Sequence, residues 1–232
     1  VVGTRRYRTW SNLFAAVGSF GRGTCVSPDL AIISAMRIVC ASANPHKVEE
    51  LARLLPSWVE LVPRPSDIGD IDEDAPTLEG NAIIKAVEIA NHASEWAISD
   101  DTGLEVDALN GAPGVRSARF AGEQATDAEN RALLLAKLDG VTNRSARFRT
   151  VVALVSLKGD IHFVGGECTG TIAETERGGS GFGYDSLFIP ADGDGRTFAE
   201  MTGPEKDAVS HRGRALVQIP ELLARIFGLP TP

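Results

Sequence analysis

The run Arg37–Ala43 (RIVCASA) is short and almost wholly apolar, the pattern of a buried strand. Beyond Asn44-Pro45 the apolar positions become Val48, Leu51, Leu54 and Leu55, the spacing of one helix face over Lys47–Leu55. Asn44 suits the helix cap and Pro45 its first position. A strand is expected over Trp58–Val62, and the acidic loop Asp67–Asp74 leads to Thr77, which caps a helix over Leu78–His92. Trp96–Ser99 reads as a strand ending at the turn-forming residues Asp100-Asp101-Thr102-Gly103. A further strand over Leu104–Leu109 closes at Asn110-Gly111. Thr126 and Glu129 make a capping box for a helix reaching Leu138. Ala146–Leu157 and Asp160–Glu174 are long and β-rich, and a hairpin turning at Lys158-Gly159-Asp160 would join them. The glycine-rich stretch Gly178–Gly183 enters a short strand, Ser186–Ile189. Thr202 and Glu205 form a second capping box, and Pro220 kinks or restarts the last helix. Mixed strands and helices with long internal strands imply an α/β fold, extending to two lobes around a cleft.

Composition narrows the partners. A chain of 232 residues that is 43% hydrophobic and 23% charged is an ordinary soluble one with a real core. Its formal charge of −8 argues against nucleic acid, whose backbone wants a basic face, but not against a nucleotide in a cleft lined by a few lysines. The same carboxylate excess suits a divalent metal. Cys25, Cys40 and Cys168 are too few and too scattered for a disulfide framework or a zinc site. They read as reduced residues in a reducing compartment, hence a cytoplasmic location, and no apolar run is long enough to cross a membrane. Residues 1–35 stand apart: Arg5, Arg6, Arg8 and Arg22 face only Asp29, a balance of +3 that leaves −11 for the rest. Such a segment fits an organelle-targeting leader. The plainer expectation is a poorly ordered extension or a misassigned start, with the native chain beginning at Met36 and one two-lobed domain over 36–230.

Five groups of residues carry candidate chemistry. At the first strand-to-helix turn, Ser42, Asn44, Lys47 and the helix start offer a hydroxyl, an amide, a cation and N–H donors to an anion. The same residues also describe an ordinary capped helix. Asp100 and Asp101 would sit together at a sheet edge, where oxygen ligands suit Mg²⁺, although Asp and Gly equally favour turns. Glu73 in the acidic loop is the candidate for a further ligand. Asn81 and Lys85 lie one turn apart on a helix face that either enters the cleft or meets solvent. In Gly181-Phe182-Gly183-Tyr184-Asp185, glycines allow close backbone approach, the aromatics could stack on a base, and Asp185 could accept from its edge. Buried aromatics beneath a flexible loop would look the same. Lys206, His211 and Arg212 concentrate donors near the last helical region.

The order of these segments is more specific than any of them. Ser-x-Asn-x-x-Lys (42–47), Thr-Leu-Glu-Gly-Asn-Ala (77–82), Ser-Asp-Asp-Thr-Gly-Leu (99–104), Gly-Ala-Pro-Gly-Val-x-Ser-Ala-Arg (111–119), Gly-Phe-Gly-Tyr-Asp (181–185) and Glu-Lys-x-Ala-x-Ser-His-Arg-Gly (205–213) together resemble the inosine/xanthosine triphosphate pyrophosphatase family, over nearly all of the chain from Met36. The resemblance implies an elongated two-lobed α/β fold, a central mixed β-sheet flanked by helices, and a cleft between the lobes. It implies a homodimer that hydrolyses non-standard purine nucleoside triphosphates (ITP, dITP, XTP) to monophosphate and pyrophosphate with Mg²⁺.

By position, the resemblance puts Ser42, Ala43, Asn44, Pro45, His46 and Lys47 on the triphosphate, with Lys47 the main cation. It makes Asp101 the general base and a metal ligand, with Glu73 and Asp100 completing the metal set. Lys85 and Thr102 lie by the substrate, Phe182 stacks on the purine, and Gly183, Tyr184 and Asp185 shape the base pocket. Lys206, His211 and Arg212 bind base or phosphate. Three positions depart from the family pattern: Ala43 where glycine is common, Gly80 where a second acid is frequent beside Glu79, and Ser186 where proline is frequent. A pyrophosphatase for modified pyrimidine nucleotides and a non-catalytic nucleotide sensor are the competing possibilities.

Overall fold

The computed structural model describes residues 36–228, so the expected extension over 1–35, with Cys25, lies outside the described residues. Strand β1 (Met36–Cys40) runs into helix α1 (Pro45–Leu54), and β2 (Val59–Val62) returns parallel to β1. Helix α2 (Leu78–Ala93) crosses to β3 (Trp96–Val106), which lies parallel on the other side of β1. Parallel neighbours need such helical crossovers. The rest of the sheet is antiparallel. Strand β4 (Pro113–Gly114) lies along the end of β3, and after α3 (Asp127–Lys137) come β5 (Ser145–Val155), β6 (Ile161–Ile172) and the short β7 (Phe188–Pro190). The order is β2-β1-β3-β5-β6-β7, with β4 pairing β3. The chain finishes in α4 (Gly203–Val209), α5 (His211–Leu216) and α6 (Ile219–Phe227), the last restarting with Pro220 in its first turn. A mixed central sheet flanked by helices is thus the architecture, as the α/β expectation had it.

Burial follows the pattern of the strands. On one face of the parallel part, α2 presents Leu78, Ala82, Ala86 and Ile89 to Val39, Ala97 and Ala153. On the other face, Leu51, Leu216, Ile219 and Leu223 cover Ile38, Ile98 and Leu154. The far ends of β3, β5 and β6 carry a separate aromatic-rich core of Leu104, Phe148, Phe188 and Phe198, closed by Leu134 of α3 and Leu138 just past its end. The long strands therefore serve two cores, and the junction between them is where buried charge collects.

One expectation fails here. Asp100-Asp101-Thr102-Gly103 is not a turn at a sheet edge: β3 runs unbroken through it, paired with β5 from Ala97 to Val106. Local turn preference is outweighed by long-range partners for both carboxylates, described below. At Gly103, a Cβ would stand 2.6 Å from the Gly114 carbonyl oxygen, so only glycine lets β4 close on β3. The strand expected over Leu104–Leu109 is the end of β3 followed by a 3-10 turn, Asp107–Leu109. The remaining elements lie within two residues of expectation except β1, which ends at Cys40 where Ala43 was expected; β7 starts two residues late because Leu187 and Phe188 still turn back to the Tyr184 carbonyl.

Candidate functional site

A cavity of about 440 Å³ opens where the two cores meet, within the roughly 300–1,000 Å³ of small-molecule sites. Its wall takes Ser42, Ala43, Asn44 and Lys47 from the first turn, and Glu73, Lys85, Asp101 and Thr102 from the acidic loop, α2 and β3. Phe182, Gly183, Tyr184 and Asp185 come from the glycine-rich loop, and Lys206, His211 and Arg212 from the last helices. Fifteen candidates named from the sequence are thereby brought together; Pro45, His46, Asn81 and Asp100 lie outside the lining.

At the turn, Ser42 Oγ accepts from the Asn44 amide at 3.2 Å, and Asn44 Oδ1 accepts from the amides of His46 and Lys47 at 3.0 and 3.4 Å. The Asn44 cap therefore consumes the helix-start donors that the sequence offered to an anion. The cation left to a ligand at the turn is the Lys47 ammonium, 3.2 Å from Asp100 Oδ2. His46 turns sideways and stacks on Phe182, ring centroids 5.3 Å apart and planes 9° apart, tying the turn to the glycine-rich loop.

Side chains alternate along a strand, so Asp100 and Asp101 point to opposite faces of β3. Asp101 looks toward α2. Its Oδ1 lies 3.2 Å from Lys85 Nζ, and its Oδ2 accepts from Asn81 Nδ2 at 3.4 Å. Asn81 in turn accepts from the Ala75 amide, fixing the end of the acidic loop. Glu73 Oε2 reaches the same Lys85 nitrogen at 3.1 Å. Burial lifts the Asp101 carboxyl above its ordinary range, aided by the Glu73 charge and opposed by Lys85 and Lys47. Two carboxylates already converging on one small cation are oxygen donors of the kind that hold a divalent metal.

Asp100 looks the other way, into a chain of alternating charge. Arg212 donates to Asp100 Oδ2 at 2.8 Å and to Thr102 Oγ1 at 3.1 Å, and also to Glu50. Glu50 Oε1 accepts from Lys206 Nζ at 2.8 Å, and Lys206 donates to Asp185 Oδ2 at 2.8 Å. Burial works against the Asp100 charge, yet Lys47 and Arg212 outweigh it and hold the carboxyl well below the ordinary range. The expected trio of Asp100, Asp101 and Glu73 is therefore not gathered. Among the described residues no three His, Cys, Asp or Glu side chains form a metal-holding group, because β3 sends the two aspartates apart.

The glycine-rich loop is built inward. Asp185, expected to read a base edge, accepts from the Phe182 amide at 3.0 Å and from Lys206, so it clamps its own loop. Burial, countered by Lys206, raises its carboxyl. The Gly183 amide donates to Asp127 at 2.7 Å, and Tyr184 Oη donates to the Ser117 carbonyl at 2.9 Å. Phe182 faces the cavity with the Lys206 ammonium 5.0 Å and the Arg212 guanidinium 5.8 Å from its centroid. His211 is 3% exposed and lies flat on Phe148, centroids 4.5 Å apart. Burial and the neighbouring Arg212 and Lys206 push its ring well below the ordinary value, so it is neutral. Helix α5 can bring His211 here because Gly166 of β6 has no Cβ; one would stand 2.1 Å from the His211 carbonyl oxygen.

The model of the Ham1 family matches residues 38–222. The chain belongs to the Ham1 family. It is 46% identical over 197 residues to the dITP/XTP pyrophosphatase of Desulforamulus reducens, covering 83% of this chain and 98% of that protein. It is 45% identical over 202 residues to the protein of the same description from Mycobacteroides abscessus, covering 84% and 98%. The solved HAM1 protein of Coxiella burnetii matches with TM-score 0.75 and 40% identity, over 82% of this chain and 99% of that one.

In this Ham1-family chain, sequence reasoning missed several residues of the site. Glu50 joins Lys206 to Arg212; its signal was a carboxylate between Val48 and Leu51, beside the apolar side of α1. Ser117 accepts from the Leu104 amide at 2.8 Å and donates to the Gly114 carbonyl at 2.6 Å, holding β4 to the cavity wall. It lay in a recognised segment without a role. Arg119 ends that same segment and was likewise given no role, and Arg64 and Asp127 line the cavity with no functional pattern to mark them.

Proposed function

We propose that the chain hydrolyses non-standard purine nucleoside triphosphates, dITP, ITP and XTP, to monophosphate and pyrophosphate, with residues 36–230 as its one domain. The observation that carries this is the convergence of Lys47, Asp101 and Phe182 on one cavity of nucleotide size. The names of the relatives support the substrate class. Water attacks the α-phosphorus, the bond from that phosphorus to the bridging oxygen breaks, and pyrophosphate leaves with the electron pair. Asp101 takes the water's proton; a carboxyl raised by burial is a better base than a free one. Lys47 meets the phosphate charge from the turn, and Asn81 and Lys85 hold Asp101 in place. Glu73 and Asp101 would hold Mg²⁺, which supplies charge neutralisation on the phosphate oxygens and lowers the pKa of a bound water. Asp100 serves as the buried anchor that aims Lys47 and Arg212.

Phe182 offers the purine a stacking face, and Lys206 and Arg212 line the cavity with donors around it. An O6 acceptor is welcome among donors, whereas the adenine amino group meets them donor to donor; such sites discriminate by roughly 10⁴-fold. The homodimer follows the same family expectation, and the cytoplasmic location follows the reading of the cysteines as reduced. No described helix is long and apolar enough to cross a membrane. The test is pyrophosphate release with and without Mg²⁺ across dITP, XTP, the standard nucleotides and modified pyrimidine triphosphates. Preference for inosine and xanthosine nucleotides is expected; preference for pyrimidines would overturn the assignment.

A further inference from the structure

Among the arginines and lysines that line the cavity, all but one have a carboxylate partner. Lys47, Lys85, Arg119, Lys206 and Arg212 each lie within 4 Å of a carboxylate. Arg64 lines the same cavity, and among the described residues no carboxylate comes within that distance of it. Its guanidinium is held by backbone instead. Nη1 donates to the Ala41 carbonyl at 2.9 Å, and Nη2 donates to the Gly69 carbonyl. Carbonyl oxygens orient a guanidinium without neutralising it, and two bonds leave three of its five N–H donors free.

Its position is as telling as its charge. Ala41 directly precedes Ser42 of the first turn, and Gly69 lies in the acidic loop that ends in Glu73. The side chain bridges those two segments and bonds to none of the glycine-rich loop or the last helices. We infer that Arg64 is a binding residue for the two terminal phosphates, the part of the substrate that departs as pyrophosphate. This rests on the hydrolase assignment above and deepens it, by giving the leaving group a cation of its own. Lys47 and Lys85 spend part of their charge on Asp100, Glu73 and Asp101; Arg64 brings a whole charge to an anion bearing several. A planar fork also suits phosphate oxygens bidentately.

The test is Arg64→Gln, which keeps side-chain donors for the carbonyls and removes the charge, beside Arg64→Lys, which keeps the charge. Calorimetry with inorganic pyrophosphate in Mg²⁺, and separately with inosine monophosphate, separates the two ends of the substrate. Arg64→Gln is expected to weaken pyrophosphate binding roughly tenfold to a hundredfold while monophosphate affinity stays within about twofold. Arg64→Lys is expected to recover most of the loss. Unchanged pyrophosphate binding in Arg64→Gln, or an equal loss for both ligands, would overturn the inference. The equal loss would mean that Arg64 only straps the loop to the turn. A wild-type protein that binds pyrophosphate but releases none from any nucleotide would sink the hydrolase assignment instead, and the binding comparison would still report on Arg64.

Discussion

On one face of β3, Asp100 meets Arg212 and Lys47 out of reach of solvent; on the other, Asp101 shares a lysine with Glu73 at the wall of an open cavity. The consequences run in opposite directions. Asp100 is held ionised, its carboxyl far below the ordinary range, while Asp101 is lifted above it. The Asp100 face is a closed set of alternating charges, Lys47–Asp100–Arg212–Glu50–Lys206–Asp185, in which each member has its partner before any ligand arrives. The Asp101 face is left with an acid that gains from losing its charge. A rigid electrostatic wall and a reactive group are thus made from adjacent residues by the alternation of one strand.

Exchanging the charges one at a time should separate those roles, and this gives the largest expected effect. Asp101→Asn is expected to cut kcat by about a hundredfold to ten-thousandfold, the usual contribution of a general base. Its stability should change by about 1 kcal/mol or less, since Lys85 keeps Glu73. Asp100→Asn is expected to do the reverse where stability is concerned. Removing one member of a buried ion set costs about 3–5 kcal/mol, because Arg212 would lose a carboxylate while 2% exposed. Denaturant unfolding beside turnover reads both. Near-normal kcat in Asp101→Asn, or an unfolding curve for Asp100→Asn that matches wild type, would erase the distinction between the faces.

Next in size is the rim of the closed set. Phe182 lines the cavity with Lys206 and Arg212 over its ring and His46 stacked on it. Phe182→Ala should raise KM for dITP about tenfold, the scale of a lost base–aromatic stack, with kcat little changed. An unchanged KM would take Phe182 out of the substrate's path and leave it a cover over the charged set.

The same contrast explains what could be read from the sequence. Elements whose evidence is local were legible: the Asn44-Pro45 helix start, the Thr126–Glu129 and Thr202–Glu205 capping boxes, and the hairpin around Gly159. Most candidate site residues were legible as well, because each stands in a short segment of recognisable order. What the sequence hid was pairing across distance. Asp100 and Arg212 are 112 residues apart, and Glu50 and Lys206 are 156 apart. Without those partners, Asp-Asp-Thr-Gly has the composition of a turn, and a buried Glu50 has the composition of a solvated helix face. The partners of Asp185 were hidden for the same reason: Lys206 is invisible from its own loop.

The smallest effect sharpens the comparison by pH. His211 belongs to the Asp100 side; Arg212, Lys206 and Lys47 disfavour its protonation, and only the Asp100 charge among its strongest influences favours it. Its Nδ1 is buried and finds no partner among the described residues, so an added proton would gain no hydrogen bond there. With the folded value pushed below the unfolded 6.5, the unfolded chain binds the extra proton first. Stability is therefore intact above pH 6.5 and falls as pH drops below it, by at most about 1.4 kcal/mol per pH unit. Asp100 also loses stability in acid, but its depressed carboxyl contributes fully above the ordinary 3.8 and gives way only below. The two windows do not overlap, and the raised carboxyls of Asp101 and Asp185 are present alike in wild type and in a His211 variant, so the difference between their unfolding midpoints over pH 5 to 6.5 reports the histidine. His211→Gln should flatten the curve there relative to wild type. Parallel curves for the two proteins would mean that the ring accepts a proton where it stands, and that this face of β3 is less tightly closed than its ion pairs imply.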